Sequence, residues 1–353
     1  MNILVTGGAG FIGSHFLDLL LEDNAAGVGS VICLDLLTYA GRRENFEHLE
    51  ANPNFNFVEG GIGDAELVAD ILSKNEIDWI VNFAAETHVD RSIDGPDAFV
   101  QTNVVGTHEL LKQSLRYFKT LSSEKQDKFR FLHVSTDEVF GSLDTEDPAF
   151  TEETPYSPNS PYSATKAASD HMVRAYYHTF NLPTIITNCS NNYGPRQFPE
   201  KLIPLMILNA LENKPLPIYG DGKNIRDWLY VKDHCEGILA AVRSGIVGST
   251  YCIGGNCEKN NLEIVGTVCT LVDELRPKAD GTSSKELITF VKDRPGHDRR
   301  YAIDASHIKN ELGFSPKETF ESGFKKTIEW YLSNGAWVEA ITNGTYDRKR
   351  LGL

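Results

Sequence analysis

The chain has 353 residues, 49 acidic against 34 basic, and a formal charge of −15, which excludes a nonspecific nucleic-acid binder held by net positive charge. Apolar residues make up 41% and charged residues 24%, a balance that builds a core and excludes a largely disordered chain. Single cores stop growing at roughly 250–300 residues, so this length predicts one large α/β domain carrying a second lobe.

Short apolar runs, each followed by helical periodicity, set the order of elements. Ile3-Leu4-Val5 comes first, leading into Gly7-Gly8-Ala9-Gly10-Phe11-Ile12-Gly13 and an amphipathic helix expected over Ser14 to Leu21. Glycines at 7, 10 and 13 are spaced more widely than in the dinucleotide fingerprint, but they suit the same tasks: a tight turn, close backbone approach to a pyrophosphate, and close packing of helix on strand. A purely structural turn is the alternative. The second run, Val31 to Leu34, ends in Asp35, 22 residues after Gly13. A carboxylate there accepts from both adenosine ribose hydroxyls and repels a 2′-phosphate, which favours NAD over NADP. Arg42 and Arg43 lie beyond it and are expected to face solvent.

The third run, Phe55 to Val58, precedes Gly61-Ile62-Gly63-Asp64, where Ile62 and Asp64 are placed to edge an adenine. The fourth, Trp79 to Val81, precedes Asn82 to Thr87, where Ala84 and Ala85 either let a cofactor pass close to backbone or simply pack tightly. The fifth, Phe129 to Val134, ends in Ser135-Thr136-Asp137-Glu138. Ser160 and Pro161 then read as N-cap and first residue of a helix, so Tyr162 and Lys166 stand one turn apart on one face. A lysine ammonium and a nicotinamide cation beside that phenol are expected to lower its pKa and make a usable base. A second Tyr-x-x-x-Lys, Tyr219 to Lys223, spans Gly220-Asp221-Gly222 and reads as a turn. Thr184 to Thr187 is the sixth run.

Alternation of this kind predicts a doubly wound parallel (Rossmann) sheet. Beyond residue 190 Gly, Pro and Asn become frequent, which predicts a smaller, loop-rich lobe over the carboxyl ends of the strands. The expected division is a dinucleotide-binding domain at 1–190, joined again by about 227–255, and a substrate lobe spanning mainly 191–353. Helices near 98–118 and 162–180 carry apolar stripes that face either the sheet or a second copy of the chain. The six cysteines show neither a Cys-x-x-Cys pair nor zinc-ligand spacing, so reduced core thiols and no metal are expected. No basic leader precedes Met1-Asn2-Ile3, and no apolar stretch approaches the ~18 residues of a span. A cytoplasmic protein is the expectation.

The glycine pattern, Asp35, the Thr136 strand end and the Tyr162/Lys166 pair together resemble the extended short-chain dehydrogenase/reductase family. Within it, Asn82 to Ser92, Ser135 to Gly141, Asn191 to Pro195 and Asp293 to Arg300 resemble the nucleotide-sugar 4,6-dehydratases, over residues 1 to about 330. Asp137-Glu138 carries most weight, because epimerases of similar build usually have small or uncharged residues there. Thr87 departs from the usual serine, and Arg42-Arg43 from a less basic pair. The resemblance implies NAD as cofactor, dTDP-glucose as substrate and a homodimer. It implies catalytic roles for Thr136, Asp137, Glu138, Tyr162 and Lys166, and it adds Phe11, Ile12, Thr38 and Thr102 to the cofactor contacts. For the nucleotide sugar it implies Thr87, His88, Asn192, Glu200, Lys201, Leu202, Pro217, Tyr219, Arg226, Asn261, Arg294, His297 and Tyr301. Arg226 reads equally as a structural salt bridge. The rival expectations are a UDP-sugar 4-epimerase or decarboxylase of the same build, which the paired carboxyls disfavour, and a catalytically silent NAD-binding scaffold.

Overall fold

The computed structural model describes residues 1–22, 27–293 and 296–342. The six apolar runs form β1 (Asn2–Thr6), β2 (Ser30–Asp35), β3 (Phe55–Glu59), β4 (Trp79–Asn82), β5 (Arg130–Thr136) and β6 (Thr184–Cys189). Six further strands follow: β7 (Asn191–Tyr193), β8 (Leu216–Tyr219), β9 (Ile225–Tyr230), β10 (Thr250–Ile253), β11 (Glu258–Asn260) and β12 (Ile288–Val291). The main sheet has seven strands in the order β10-β6-β5-β4-β1-β2-β3, all parallel. Winding reverses between β1 and β4, and such a switch point opens a crevice at the carboxyl ends of the strands. Central strands are buried on both faces, hence their unbroken Val, Ile and Leu character.

β10 joins β6 with Thr250 opposite Ile186, and helix Val231–Ser244 contributes Cys235, Ile238 and Val242 to the same core as Leu17 and Leu20. β9 lies instead between β7 and β11 in a three-stranded sheet. A second core, with Tyr193, Met206, Ile207, Val265, Phe324 and Trp337, supports the smaller lobe.

Three expectations need correction. The first helix spans Phe11–Leu21, because Gly10 in extended conformation is its N-cap and the glycine turn is itself the first helical turn. The stretch expected as one helix near 98–118 contains a wide, π-helical segment at Val100–Gly106, followed by a regular helix at Thr107–Phe118. Its Asn103 fills the gap, bonding the Glu86 backbone on both sides and Thr165 Oγ1 at 3.0 Å. Arg43 is exposed and paired with Glu50 at 2.7 Å, whereas Arg42 is half-buried, with its N–H on Ala9 O. The six cysteines are free thiols, and five are buried. No helix among the described residues is long and apolar enough to cross a membrane.

Candidate active site

A cleft of about 620 Å³ opens at the switch point, and every residue expected to meet a dinucleotide lines it: Gly7, Gly10, Phe11, Ile12, Gly13, Asp35, Thr38, Ile62, Asp64, Ala84, Ala85, Thr102, Tyr162 and Lys166. Gly7 has φ +69°, and a Cβ there would lie 2.6 Å from Ala84 N. Glycine is what lets the ends of β1 and β4 approach so closely. Asp35 accepts from Ala9 N–H at 2.9 Å and from Leu37 N–H at 2.8 Å, so it ties the end of β2 to the glycine turn. Burial raises its pKa while these bonds pull it down. An ionised carboxylate has about four acceptor positions, which leaves capacity for ribose hydroxyls. Asp64 caps helix Ala65–Lys74 by accepting from Leu67 N–H at 3.0 Å. A cradle of close backbone, a free helix N-terminus and an acceptor at the second strand end fits a dinucleotide.

The opposite wall begins where β5 stops. Thr136 Oγ1 accepts from Glu138 N–H at 3.3 Å and starts a short 3₁₀ turn, Asp137–Phe140. Asp137 is 2% exposed, and its Oδ2 has no hydrogen-bond partner among the described residues. Burial first, then the neighbouring Glu138 charge, push its carboxyl well above the usual range. Glu138 is less buried.

Across the cleft, Ser160 and Ser163 form a capping box with Pro161 in the first turn of helix Pro161–Phe180, and Ser92 Oγ accepts the Tyr162 N–H at 3.2 Å. Tyr162 and Lys166 thus arrive on one face by local rules alone. The expectation set a nicotinamide cation beside the ammonium; among the protein's own groups, burial and acidic neighbours dominate the phenol. Burial, then Glu138, raise Tyr162 well above its ordinary value, against a hydrogen bond from Thr136. The Lys166 ammonium donates to Val134 O at 2.9 Å and lies 3.3 Å from His133 Nε2. Burial lowers it, and Asp170 and Cys189 oppose that.

A second cavity of about 190 Å³ shares Glu138, Asn192, Glu200 and Lys201 with the cleft and adds His88, Leu202, Pro217, Tyr219, Arg226, Asn261 and His297. Thr87 lines the larger cleft. Tyr301 lies in neither wall: it is buried, its ring 4.1 Å below the Arg226 guanidinium and its hydroxyl on Asp298. Arg226 itself donates to Ile225 O and Asp298 O. Arg294 falls outside the described residues. Positive φ at Gly220 and Gly222 turns the chain after Tyr219 and leaves Lys223 exposed, so the second Tyr-x-x-x-Lys is no side-chain pair. His297 is held by Asp293 at 2.6 Å.

Glu86, Gln101, Cys189, Gln197 and Phe198 also line the cleft and escaped the sequence reading. Cys189 closes a strand, and strand ends line such crevices; Glu86, Gln197 and Phe198 depend on loop paths, and Gln101 on the wide helical segment.

The pattern of the GDP-mannose 4,6 dehydratase family matches residues 4–327. A dTDP-glucose 4,6-dehydratase from Xanthomonas campestris pv. campestris (strain B100) is 56% identical over 349 residues, covering 99% of this chain and 98% of that protein. Among solved structures, DesIV, a dTDP-glucose 4,6-dehydratase from Streptomyces venezuelae with NAD and TYD bound, superposes with a TM-score of 0.88 at 45% identity, covering 97% of this chain and 100% of that one. The dTDP-glucose 4,6-dehydratase from Bacillus anthracis str. Ames in complex with NAD gives 0.85 at 47% identity, with coverage of 97% and 99%. Similarity of this extent, in sequence and in fold, means that the chain belongs to the dTDP-glucose 4,6-dehydratases within the GDP-mannose 4,6 dehydratase family.

Proposed function

We propose that the protein is an NAD-dependent hydro-lyase that converts dTDP-glucose to dTDP-4-keto-6-deoxyglucose and water. NAD bound in the cleft supplies a hydride acceptor for C4 and, afterwards, a hydride donor for C6. Loss of water across C5 and C6 is difficult in the parent sugar, since its C5 hydrogen is not acidic; a ketone at C4 makes it so. Tyr162 takes the proton of the 4-hydroxyl, with Thr136 donating the hydrogen bond that pulls its pKa down against burial and Lys166 one turn along the same helix. Glu138, at the junction of the two cavities, takes the C5 proton and returns a proton to C5 once C6 has received its hydride. Asp137, kept protonated by burial and by its neighbour's charge, gives its proton to the departing 6-hydroxyl. The remaining polar groups of the smaller cavity hold the nucleotide diphosphate, with Arg226, Asn192 and Lys201 nearest in chemistry.

Two adjacent carboxyls hold opposite protonation states only where their environments separate them. Asp137, buried with one oxygen unbonded, beside the more open Glu138, is the observation that carries the reading. Residues 1–190, joined again by about 227–255, are assigned to the dinucleotide and 191–353 mainly to the nucleotide sugar; the two separate cores support that division. A cytoplasmic homodimer is the matching assembly. Free thiols suit a reducing compartment, and Val100 and Phe180, large apolar residues exposed on the two neighbouring helical segments, suit a partner copy.

The test is single-turnover mixing with dTDP-glucose in deuterated water. Glu138→Gln should block exchange of the C5 hydrogen, and Asp137→Asn should slow loss of the 6-hydroxyl. Both should still oxidise C4, giving a reduced-nicotinamide absorbance that rises and decays slowly. Wild-type product at unchanged rates from both variants would leave the carboxyl pair without a catalytic role and end this reading.

A further inference from the structure

Behind the catalytic wall lies a polar cluster that the reaction above leaves unused. Asp170, 1% exposed, is one turn beyond Lys166 on the same helix. Its Oδ2 accepts from Ser135 Oγ at 2.7 Å, Tyr156 OH at 3.0 Å and Asn188 Nδ2 at 3.3 Å. Its Oδ1 faces His133 Nε2 at 3.4 Å. The proton on His133 can be assigned from its neighbours. Thr6 Oγ1 donates to Asn82 Oδ1, which turns the Asn82 amide nitrogen toward His133 Nδ1 at 2.9 Å, so Nδ1 accepts. With Nδ1 accepting, the imidazole is neutral, and its Nε2 is shared by three groups: Ser169 Oγ at 3.2 Å, Lys166 Nζ at 3.3 Å and Asp170 Oδ1 at 3.4 Å. It stands between a buried ammonium and a buried carboxylate without itself supplying charge.

We propose that Asp170 is a positioning residue for Lys166: its buried carboxylate is the countercharge that keeps the ammonium in place against β5, with neutral His133 as the spacer between them. A lone ammonium in this setting loses its proton easily, because burial penalises the charged form. Lys166 is buried, with Tyr162 and Asp170 on its own helix, His133 from β5, Cys189 from β6, and Asp137 and Glu138 from the turn after β5 around the same wall. Of these, Asp170 raises Lys166 most, and His133 sits near 4, too low to compete for the proton at neutral pH. Three donors on Oδ2 hold the carboxylate in place. Ser135 and Asn188 reach it from the two strands whose ends build the catalytic wall, so the countercharge is fixed to the same frame as Thr136 and Cys189.

The inference rests on the assignment of Tyr162 and Lys166 to C4 oxidation. Its test follows that step alone, in NAD-loaded protein, from about pH 6 to pH 10, across the range where a perturbed lysine titrates. Asp170→Asn should move the alkaline limb of the C4-oxidation rate down by about one pH unit or more, as expected for loss of an opposite charge at this range. Asp170→Glu should move it back. Tyr156→Phe, which removes a hydrogen bond from the carboxylate and leaves its charge, should lower stability without moving the limb. An Asp170→Asn protein whose rate falls equally at every pH, with the limb unmoved, overturns the proposal and leaves Asp170 a structural residue. A substrate-free measurement keeps the pair testable if that variant does not fold. Lys166→Met leaves Asp170 without its countercharge, so Lys166→Met/Asp170→Asn should melt higher than Lys166→Met; an equal or lower melting point, or no folded double variant, refutes the pairing. Wild-type protein unable to oxidise dTDP-glucose would instead sink the assignment beneath it, and the melting comparison would stand apart from that result.

Discussion

Asp137 and Tyr162 are both held above their ordinary pKa, chiefly by burial, and for Asp137 this links function to stability. A group whose folded pKa is raised stabilises the fold fully below its unfolded value, and that contribution is lost as pH rises through the folded value. Asp137 therefore becomes a growing liability as pH rises above the ordinary carboxyl range. Asp137→Asn keeps the shape and removes the ionisation, so its melting point relative to the parent should rise as pH increases from about 4 upward, while turnover falls by about 100-fold or more. Calorimetry at matched NAD content reads the first effect and product formation the second. A melting difference that does not change with pH would mean that the folded state does not hold the Asp137 proton above its ordinary range. Tyr162→Phe should lower turnover by about 100- to 10,000-fold with little loss of substrate affinity. Tyr219, whose hydroxyl is on Asp90 at 3.3 Å, should tolerate Phe with a much smaller effect on the chemical step. Comparable losses at both positions would mean that the wrong Tyr-x-x-x-Lys pair had been assigned.

At the scale of elements, the glycine turn is the part of the fold most exposed to a single methyl group. A Cβ on Gly13 would lie 2.3 Å from Gly7 O, a backbone atom that cannot move without opening the turn. Gly13→Ala should cost about 1–3 kcal/mol of stability and release NAD on dialysis, which denaturation followed by cofactor assay of the supernatant detects. Gly266 lies inside helix Asn261–Leu275 with nothing near its Cβ position, so Gly266→Ala should stabilise by about 0.5–1 kcal/mol and leave NAD in place. Retained NAD in Gly13→Ala would show that the turn has slack the geometry does not reveal. The same elements explain what was legible in the sequence. Strands buried on both faces announce themselves as runs of Val, Ile and Leu, and Ser160-Pro161 marks a helix start by capping chemistry, so Tyr162 and Lys166 were readable as a pair. The start of the first helix was not, because Gly10 to Gly13 have no side-chain periodicity to read. Neither was the wide segment at Val100–Gly106, which is stabilised by Asn103 reaching residues 86 and 165, contacts remote in sequence. The position of Tyr301 behind Arg226 escaped for the same reason: a local motif gives residue types, and only the packed fold decides which of them reaches the cavity.

The whole molecule works only if its two lobes keep register; Arg196 and Trp337 join them at Asp18 and Asn45, and a further cluster joins them beside the cleft. Tyr39, in the loop after β2, donates to Glu200 Oε1 at 3.0 Å; Arg91, in helix Val89–Asp94 after β4, donates to Glu200 Oε2 at 3.0 Å and stacks 3.7 Å over the Tyr39 ring. Glu200 comes from the segment that enters the smaller lobe, and its side chain is 3% exposed against 32% for Arg91. Thr38 and Ala40 on either side of Tyr39 line the dinucleotide cleft, while Glu200 and Lys201 line both cavities. The cluster thus connects the loop after β2 to the smaller lobe, and on the proposed function loosening it should be felt at both ligands. Arg91→Met keeps the length of the side chain and leaves the Glu200 carboxylate without its cation, at a cost of about 1–3 kcal/mol, the penalty for stranding a buried charged acceptor. The expected result is a KM for dTDP-glucose raised by about 10-fold, faster NAD release, and kcat changed far less, because no group in this cluster is assigned to the bond-breaking steps. Tyr39→Phe retains the stack and loses one hydrogen bond, so its effect should run the same way at about 0.5–1.5 kcal/mol. The two changes share Glu200 and should not add, since removing either loosens the same carboxylate. A double variant whose effects sum fully, or an Arg91→Met protein with unaltered KM and NAD release, would mean that the lobes are held in register elsewhere and that the cluster serves the surface alone.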